Sequence, residues 1–328
     1  MTEPNPHIDD RGYLHLHPEV DLPLPACATG GLEAAHHVLT VDELVAINAA
    51  LAAGRPLLLR GEPGVGKSQL ARAAAVALGR AFVHQTVDAR TDAHELLWRV
   101  DGVARLGQAQ LMASDSEADR ASLELKRFLQ PGALWWAFNW STAAEQATLA
   151  GPGAAARAYV DPQQKGVVVL IDEIDKADSS VPNGLLEALA GGAFSPPGCE
   201  PVVRGTPRPL VIIATNEERP MPDAFLRRCL VLHLVLPEGS EKVVPHLLRR
   251  SRGLLDRVDE PVQREVAELI AKDRAEQGRG ARARVGLAEH LDLLRALAEL
   301  APNDPAAQRT LLAQLKQLVL FKRRPPGA

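Results

Sequence analysis

The chain has 328 residues, of which 46% are hydrophobic, and a formal net charge of −4 at pH 7. A chain of this length can form two domains with a hydrophobic core that needs no disulfide or structural metal. Its small negative net charge gives no overall positive potential of the kind that attracts nucleic acid. No apolar run approaches the roughly 20 residues of a membrane span. Because the N-terminus lacks the apolar segment of a signal peptide and the three cysteines are widely spaced, we expect a cytoplasmic protein with reduced thiols.

The N-terminal segment, residues 1–39, is rich in proline and histidine and shows little hydrophobic periodicity. We therefore expect it to be an extension that lies on the body of the protein. Regular structure is predicted to begin with a helix in "TVDELVAINAALAAG". Thr40 or Asp42 can cap the start of this helix, and Gly54 can end it.

Short apolar runs that alternate with helical segments follow this helix. "RPLLLRG", "AFVHQTV", "PLVIIATN" and "CLVLHLVL" each predict a strand, and "GVVVLIDEIDKAD" contains five consecutive apolar residues, Val167 to Ile171. That run is mostly β-branched and does not alternate, so we predict a strand that is buried on both faces. Strands separated by helices indicate an α/β fold, an αβα sandwich with a parallel sheet.

The hydrophobic pattern changes near residue 238. From Glu241 to Arg324 it is helical only, with apolar residues at three- and four-residue spacing, as in "LAEHLDLLRALAEL". Such spacing is typical of amphipathic helices. The sequence therefore predicts a core domain over residues 40–237 and a small all-α domain over residues 238–328.

The segment "GEPGVGKS" follows a predicted strand and precedes a predicted helix. It matches G-x-x-x-x-G-K-[ST], in which a glycine-rich turn and a helix N-terminus present N–H groups to phosphate oxygens. Lys67 is expected to reach the β- and γ-phosphates of ATP, and the Ser68 hydroxyl to bind Mg²⁺. The residues predicted to bind ATP here are Gly61, Glu62, Pro63, Gly64, Val65, Gly66, Lys67, Ser68 and Gln69.

Two acids, Asp172 and Glu173, directly follow the buried strand. Unpaired charge in such a position is costly, so the acids need basic partners or a positive ligand. In a P-loop protein the acid that ends a neighbouring strand holds Mg²⁺, and we assign this role to Asp172 together with Ser68. Glu173 is then placed to polarise a water molecule aimed at the γ-phosphate, and a surface salt bridge is the alternative for both acids. Asp175 and Lys176 are interpreted as solvated or ion-paired residues of the following helix.

The phosphate loop, "VVVLIDEIDKAD" and "VIIATNEERPMPDAFLRRC", in this order, resemble the AAA+ ATPases and, within them, the MoxR group. The resemblance covers roughly residues 41–236. It implies an αβα ATPase core, a C-terminal helical lid, and a homo-oligomeric ring, usually a hexamer, with ATP between subunits. It also implies that Mg²⁺-dependent ATP hydrolysis remodels a protein client. MoxR-like proteins often act with von Willebrand factor A domain proteins, which makes such a protein one candidate for the unidentified client.

The resemblance assigns roles to further residues. Asn216 matches the first sensor residue, which helps to orient the attacking water, and a strand-end turn residue is the alternative. "FLRRC" falls where the family carries its arginine finger, with Arg228 as the closer match, Arg227 beside it and a structural ion pair as the alternative. Arg284 matches the second sensor arginine, which contacts the nucleotide from a lid helix. Arg282 also qualifies, and neither lies in the usual Ser-Pro-Arg context.

About eighty residues separate the strand in "AFVHQTV" from the next predicted buried strand, far more than an ordinary connection. The resemblance implies an insertion in the second core helix, around residues 94–160. All four tryptophans lie in this region: Trp98, Trp135, Trp136 and Trp140. The rings either grip a substrate or partner, or pack the insertion onto the core. We favour core packing for Trp98 and Trp135 and leave both interpretations open for the other two.

Three other functions fit parts of the sequence. A P-loop phosphotransferase is disfavoured because the Asp172–Glu173 pair suits water activation and the lid has no recognisable acceptor site. A nucleic-acid motor or loader is disfavoured by the acidic balance, although "FKRRPP" near the C-terminus offers phosphate contacts. A nucleotide-switched scaffold that barely hydrolyses ATP is disfavoured by the presence of Glu173, Asn216 and Arg228.

Overall fold

Eleven strands and eleven α-helices occur in the part of the chain that the computed structural model describes, residues 7–25, 35–111, 123–151, 165–178, 180–252, 257–277 and 285–319. The strands are β1 (Glu19–Leu24), β2 (Ala35–Thr40), β3 (Leu57–Arg60), β4 (Ala81–Thr86), β5 (Trp98–Val100), β6 (Leu129–Pro131), β7 (Val167–Asp172), β8 (Ala193–Phe194), β9 (Val202–Val203), β10 (Leu210–Thr215) and β11 (Leu230–His233). The helices are α1 (Val41–Ala53), α2 (Lys67–Leu78), α3 (Gly102–Leu111), α4 (Ala133–Phe138), α5 (Trp140–Ala150), α6 (Ser180–Gly191), α7 (Asp223–Leu226), α8 (Ser240–Arg250), α9 (Glu260–Gln277), α10 (Leu287–Leu300) and α11 (Pro305–Val319).

Five of these strands form a central parallel sheet in the order β11-β3-β10-β7-β4. They are the five strands that the sequence predicts. Residues 167–171 of β7 are all buried, which confirms the prediction of a strand covered on both faces. Because the strands are parallel, their carboxyl ends, at Arg60, Asp172 and Thr215, lie on the same side of the sheet. Ligands of open α/β sheets bind at the carboxyl ends of the strands.

Helices cover both faces of the sheet, and the side chains of β7 show the division. Val168 and Leu170 belong to an apolar cluster with α1, α2 and the strand β1. Val169 and Ile171 belong to a second cluster, which contains α4 and the apolar side of α6. The predicted αβα sandwich is therefore confirmed.

Helix α1 begins with the predicted cap. The Glu43 N–H donates to Thr40 Oγ1 (3.4 Å), and the Thr40 N–H donates to Glu43 Oε2 (2.8 Å). This reciprocal pair satisfies two backbone donors that a helix start leaves open, so Thr40 rather than Asp42 is the cap. The helix ends at Gly54, whose left-handed φ of 62° is readily adopted only without a Cβ.

Within residues 7–25 and 35–40, the N-terminal segment packs on the core domain and adds buried side chains to it. Strands β1 and β2 pair antiparallel, and the side chains of Val20, Leu22 and Leu24 are buried in the same cluster as α2. These apolar residues alternate in "EVDLPL" with exposed ones. The alternation is short and includes a proline, and for these reasons it is a weak signal in the sequence.

A buried polar cluster joins β2 and α1 to the lid helix α8. Arg250 donates to Glu43 Oε1 (3.1 Å) and lies 2.6 Å from a ring nitrogen of His37, and all three residues are buried. Burial lowers the pKa of His37 to about 4, so its ring is neutral at pH 7 and can accept a hydrogen bond from Arg250. This network fixes the first lid helix to the core.

Helices α8–α11 form the predicted all-α lid around their own apolar cluster. Val65 of the phosphate loop and Leu236, which precedes α8, are part of that cluster. The hydrophobic core of the lid therefore contains a side chain from the loop that is predicted to bind phosphate. Within the described ranges, no helix combines the length and apolarity needed to cross a membrane.

The tryptophan-rich region packs against the sheet. Trp135 and Trp136 on α4 are only 2% and 6% exposed, and both belong to the cluster on the Val169 side of β7. Trp98 is partly buried and stacks on Phe194, with ring centroids 5.8 Å apart. Core packing is confirmed for Trp98 and Trp135, and Trp136 packs in the same way.

Replacing Trp136 by alanine is expected to lower the free energy of unfolding by about 3–5 kcal/mol, because truncation of a buried aromatic leaves a cavity. Trp140 is the matched control, because it is only partly buried and its ring centroid lies 4.8 Å from that of Trp136. We expect a smaller loss for Trp140→Ala. Denaturant unfolding of both variants tests this, and equal losses would contradict the difference in burial.

Candidate functional site

The phosphate loop, residues 61–68, joins the carboxyl end of β3 to α2. Gly66 precedes the first residue of α2 with a left-handed φ of 100°, which disfavours any side chain there. A Cβ on Gly61 would lie 2.3 Å from the carbonyl oxygen of Leu234, so the backbone also excludes a side chain at this position. Both glycines are therefore required for the loop to turn and present its N–H groups at the start of α2.

Lys67 is buried at the first position of α2. Its ammonium group donates to the carbonyl oxygens of Gly61 (2.8 Å) and Glu62 (2.9 Å). Burial lowers the pKa of Lys67, and the nearby carboxylates of Asp172 and Asp175 oppose this shift. These contacts hold the ammonium group beside the loop.

Asp172, at the end of β7, meets the phosphate loop through Ser68. The Ser68 hydroxyl donates to Asp172 Oδ2 (2.7 Å), and the other carboxylate oxygen accepts the Glu173 N–H (3.0 Å). Burial acts to raise the pKa of Asp172, but the nearby His84 ring (3.6 Å) and the hydrogen bond from Ser68 outweigh it and hold the pKa below its ordinary value. An ionised carboxylate beside a hydroxyl fits Mg²⁺, which binds one or two carboxylates and completes its shell with water and phosphate oxygens.

Glu173 has an unusual backbone conformation. Its φ of 61° and ψ of 37° are left-handed, which costs about 1–3 kcal/mol for a non-glycine residue and is characteristic of functional sites. Its Oε2 atom lies 2.8 Å from the Lys176 ammonium group, so the prediction that Lys176 is ion-paired is confirmed. The contact raises the pKa of Lys176.

Asp175 differs from its prediction. It is 3% exposed rather than solvated, and it lies in a 3₁₀ turn, Ile174–Lys176, instead of a continuous helix. Its carboxylate accepts the backbone N–H groups of Asn216 (3.3 Å) and Glu218 (2.9 Å). The helix that the sequence places after the strand begins only at Ser180, so the turn directs Asp175 inward.

A cavity of about 290 Å³ brings most of these residues together. It is lined by Pro63, Gly64, Gly66, Lys67, Ser68, Gln69, Asp172, Glu173, Asn216, Leu287, Ala288 and Leu291. The last three belong to the start of α10, so the cavity lies between the core and the lid. A phosphate loop, two acids and a strand-end amide thus face one space.

The lid also contacts the phosphate loop through a residue that sequence reasoning missed. Arg274 on α9 is 5% exposed and donates to Glu62 Oε2 (2.9 Å) and to the carbonyl oxygen of Val285 (2.8 Å). The signal was present, because Arg274 continues the buried i, i+4 stripe of Val266 and Ile270. Arg282 and Arg284, the candidates for the second sensor, lie outside the described residues.

Arg227 and Arg228 are exposed on the turn between α7 and β11. The guanidinium of Arg55 donates to the carbonyl oxygens of both residues, with 3.0 Å from its Nε to the oxygen of Arg228. Among the described residues, no carboxylate pairs with either side chain, so the ion-pair alternative finds no support there. The turn is therefore held through its backbone, and its two guanidinium groups extend into solvent.

Arg228 does not line the cavity of its own chain. It precedes β11, and Leu230 at the start of β11 pairs with Leu57 at the start of β3. The phosphate loop instead begins after Arg60, at the other end of β3, and four residues of strand span roughly 13 Å. Arg228 therefore lies near the amino ends of the strands, whereas the phosphate loop lies at their carboxyl ends.

One family model matches the part of the chain that contains the phosphate loop and most of the central sheet. Residues 56–229 match the family described as AAA domain (dynein-related subfamily). Solved structures similar to the chain include a Thermotoga maritima RuvB mutant (15% identity, TM-score 0.43, 84% of this chain and 68% of that chain). The Thermotoga maritima RuvB Holliday junction branch migration motor is also similar (16% identity, TM-score 0.42, 84% of this chain and 67% of that chain). No curated protein matches the chain.

Proposed function

The chain belongs to the AAA domain family, in its dynein-related subfamily, and on that premise we propose that it hydrolyses ATP with Mg²⁺ to remodel a partner protein. The observation that carries the proposal is the 2.7 Å contact between Ser68 and Asp172, with Glu173 and Asn216 lining the same cavity. The contact joins a phosphate-binding loop to an ionised acid. The adjacent glutamate and amide supply what hydrolysis requires beyond binding.

Each residue of the cavity has a distinct part in the proposed reaction. The loop N–H groups and Lys67 bind the phosphates, and Ser68 and Asp172 hold Mg²⁺, which when bound neutralises charge on the transferring phosphoryl group. Glu173 accepts the proton of the attacking water, and the Asn216 amide orients that water. Glu62 and Arg274 connect the phosphate loop to the lid.

Phosphate release by the purified chain, with ATP and Mg²⁺, tests the proposed activity directly. The same assay with a small-molecule acceptor separates hydrolysis from phosphotransfer, because a phosphotransferase consumes ATP only when the acceptor is present. ATP binding without turnover would instead support the nucleotide-switched scaffold.

Replacing Lys67 by alanine is expected to weaken ATP binding by about 100-fold, because the phosphates lose a charged donor worth about 1.5–3 kcal/mol and the loop loses its ammonium group. Calorimetric titration with a non-hydrolysable ATP analogue measures the effect. Lys272→Ala is the control, since Lys272 is exposed on the lid with a side chain that is 75% accessible. Near-normal affinity in Lys67→Ala would refute the assignment of the phosphate loop.

We propose a MoxR-like organisation of this chain, with an N-terminal extension over residues 1–39, the ATPase core over 40–237 and the lid over 238–328. The active form is a cytoplasmic homo-oligomeric ring, taken to be a hexamer. The net charge of −4 favours a protein client over nucleic acid. Stimulation of ATPase activity by a von Willebrand factor A domain protein would support this client class, whereas stimulation by single-stranded DNA would contradict it.

A further inference from the structure

Asp175 connects the two segments that carry the proposed base and sensor. It lies two residues after Glu173, and its two carboxylate oxygens accept the N–H groups of Asn216 and Glu218 at 3.3 Å and 2.9 Å. The residue between those two, Glu217, has a left-handed φ of 60°. A single buried carboxylate therefore holds both sides of the turn that follows β10.

The burial of Asp175 requires an explanation, because a buried carboxylate is unfavourable unless charge-assisted hydrogen bonds replace its hydration. Two converging N–H groups supply such bonds. Glu217, which lies between them, is left-handed, and such a conformation can turn neighbouring N–H groups towards one anion. The Glu217 side chain is itself held by an ion pair with Arg60 at the end of β3.

We propose that Asp175 is a positioning residue that fixes Asn216 relative to Glu173, so that the amide and the base face the same water molecule. The inference rests on the proposed ATPase function. Asp175 touches neither nucleotide nor water in this role and acts through the backbone of Asn216. Its position in the turn Ile174–Lys176 couples the segment after β7 to the segment after β10.

Asp175→Asn tests this role with little change in volume. The asparagine retains one acceptor oxygen but directs an NH₂ group at the second N–H, so one of the two bonds is replaced by a donor–donor contact. We expect kcat to fall by about 10- to 100-fold, the range that a misplaced catalytic geometry produces, while ATP affinity changes by less than about threefold. Asp175→Glu should recover part of the rate, because it restores both acceptors.

The matched control is Asp42→Asn, at an exposed position in the first turn of α1. It should leave kcat and affinity unchanged. A loss of affinity equal to the loss of kcat in Asp175→Asn, or normal turnover in that variant, would overturn the proposal.

A double-mutant cycle separates positioning from general support of the fold. If Asp175 acts through Asn216, then Asp175→Asn should change kcat by less than about twofold once Asn216 is alanine, because coupled residues are non-additive. Independent, multiplicative losses would show that Asp175 does not act through Asn216.

Amide hydrogen exchange tests the contact without any enzymatic activity. In Asp175→Asn the amides of Asn216 and Glu218 should exchange at least about tenfold faster, while those of β7 keep their protection. If the unmodified chain fails to hydrolyse ATP, the proposed function falls and exchange still decides whether Asp175 holds this turn. Unchanged exchange at both amides would refute the contact itself.

Discussion

Glu173→Gln is expected to lower ATP turnover by about 10²- to 10⁴-fold and to leave ATP binding intact. Glutamine has the size of glutamate, but its amide cannot accept the proton of the attacking water. The Glu173 side chain lines the same cavity as Asp172, Asn216 and the phosphate loop. Single-turnover hydrolysis and equilibrium binding of ATP measure the two parts of this prediction separately.

The same variant should also trap ATP-bound assemblies, visible as a larger species in light scattering when ATP is present. Loss of the ion pair with Lys176 contributes little, because water reaches both side chains and screens their attraction. Glu187→Gln is the control, since Glu187 is exposed on α6. Turnover within about threefold of the unmodified chain would mean that another residue activates the water.

Local sequence patterns predicted the part of the site that depends on consecutive residues. Val167–Ile171 is apolar without interruption, which predicts a strand buried on both faces. The position of Asp172 and Glu173 directly after this run places them at the carboxyl end of the strand. The cap at Thr40 was readable for the same reason, because its partner lies three residues away.

Such local patterns do not predict contacts between residues that are far apart in the sequence. The sequence predicts Asp175 as a solvated or ion-paired residue of a helix. Its partner Asn216 is 41 residues away, and the turn that follows Asn216 contains the left-handed residue Glu217. The bond between Arg274 and Glu62 spans 212 residues. A residue's burial depends on which strand or helix packs against it, and no periodicity within one element specifies that.

The placement of Arg228 bears on assembly. Because Arg228 and the phosphate loop of the same chain lie at opposite ends of the strands, Arg228 is poorly placed to assist hydrolysis within one chain. In a head-to-tail contact, the surface of one copy that carries Arg228 can face the nucleotide of the next copy. Repetition of that contact can close a ring. The exposed guanidinium groups of Arg227 and Arg228, held through Arg55, are compatible with such a contact.

Arg228→Ala is accordingly expected to bind ATP normally and to lose about 10³- to 10⁵-fold of its hydrolysis, because an arginine finger stabilises the charge of the transferring phosphoryl group. Arg264→Ala, at an exposed position on α9, is the control and should retain full activity. Mixing Arg228→Ala with Lys67→Ala at equal amounts should recover about one quarter of the normal rate, since about one interface in four then pairs an intact loop with an intact finger. Specific activity of the unmodified chain should also rise with protein concentration as rings form. An inactive mixture, together with specific activity that does not change on dilution, would place Arg228 in a cis or structural role and refute the ring.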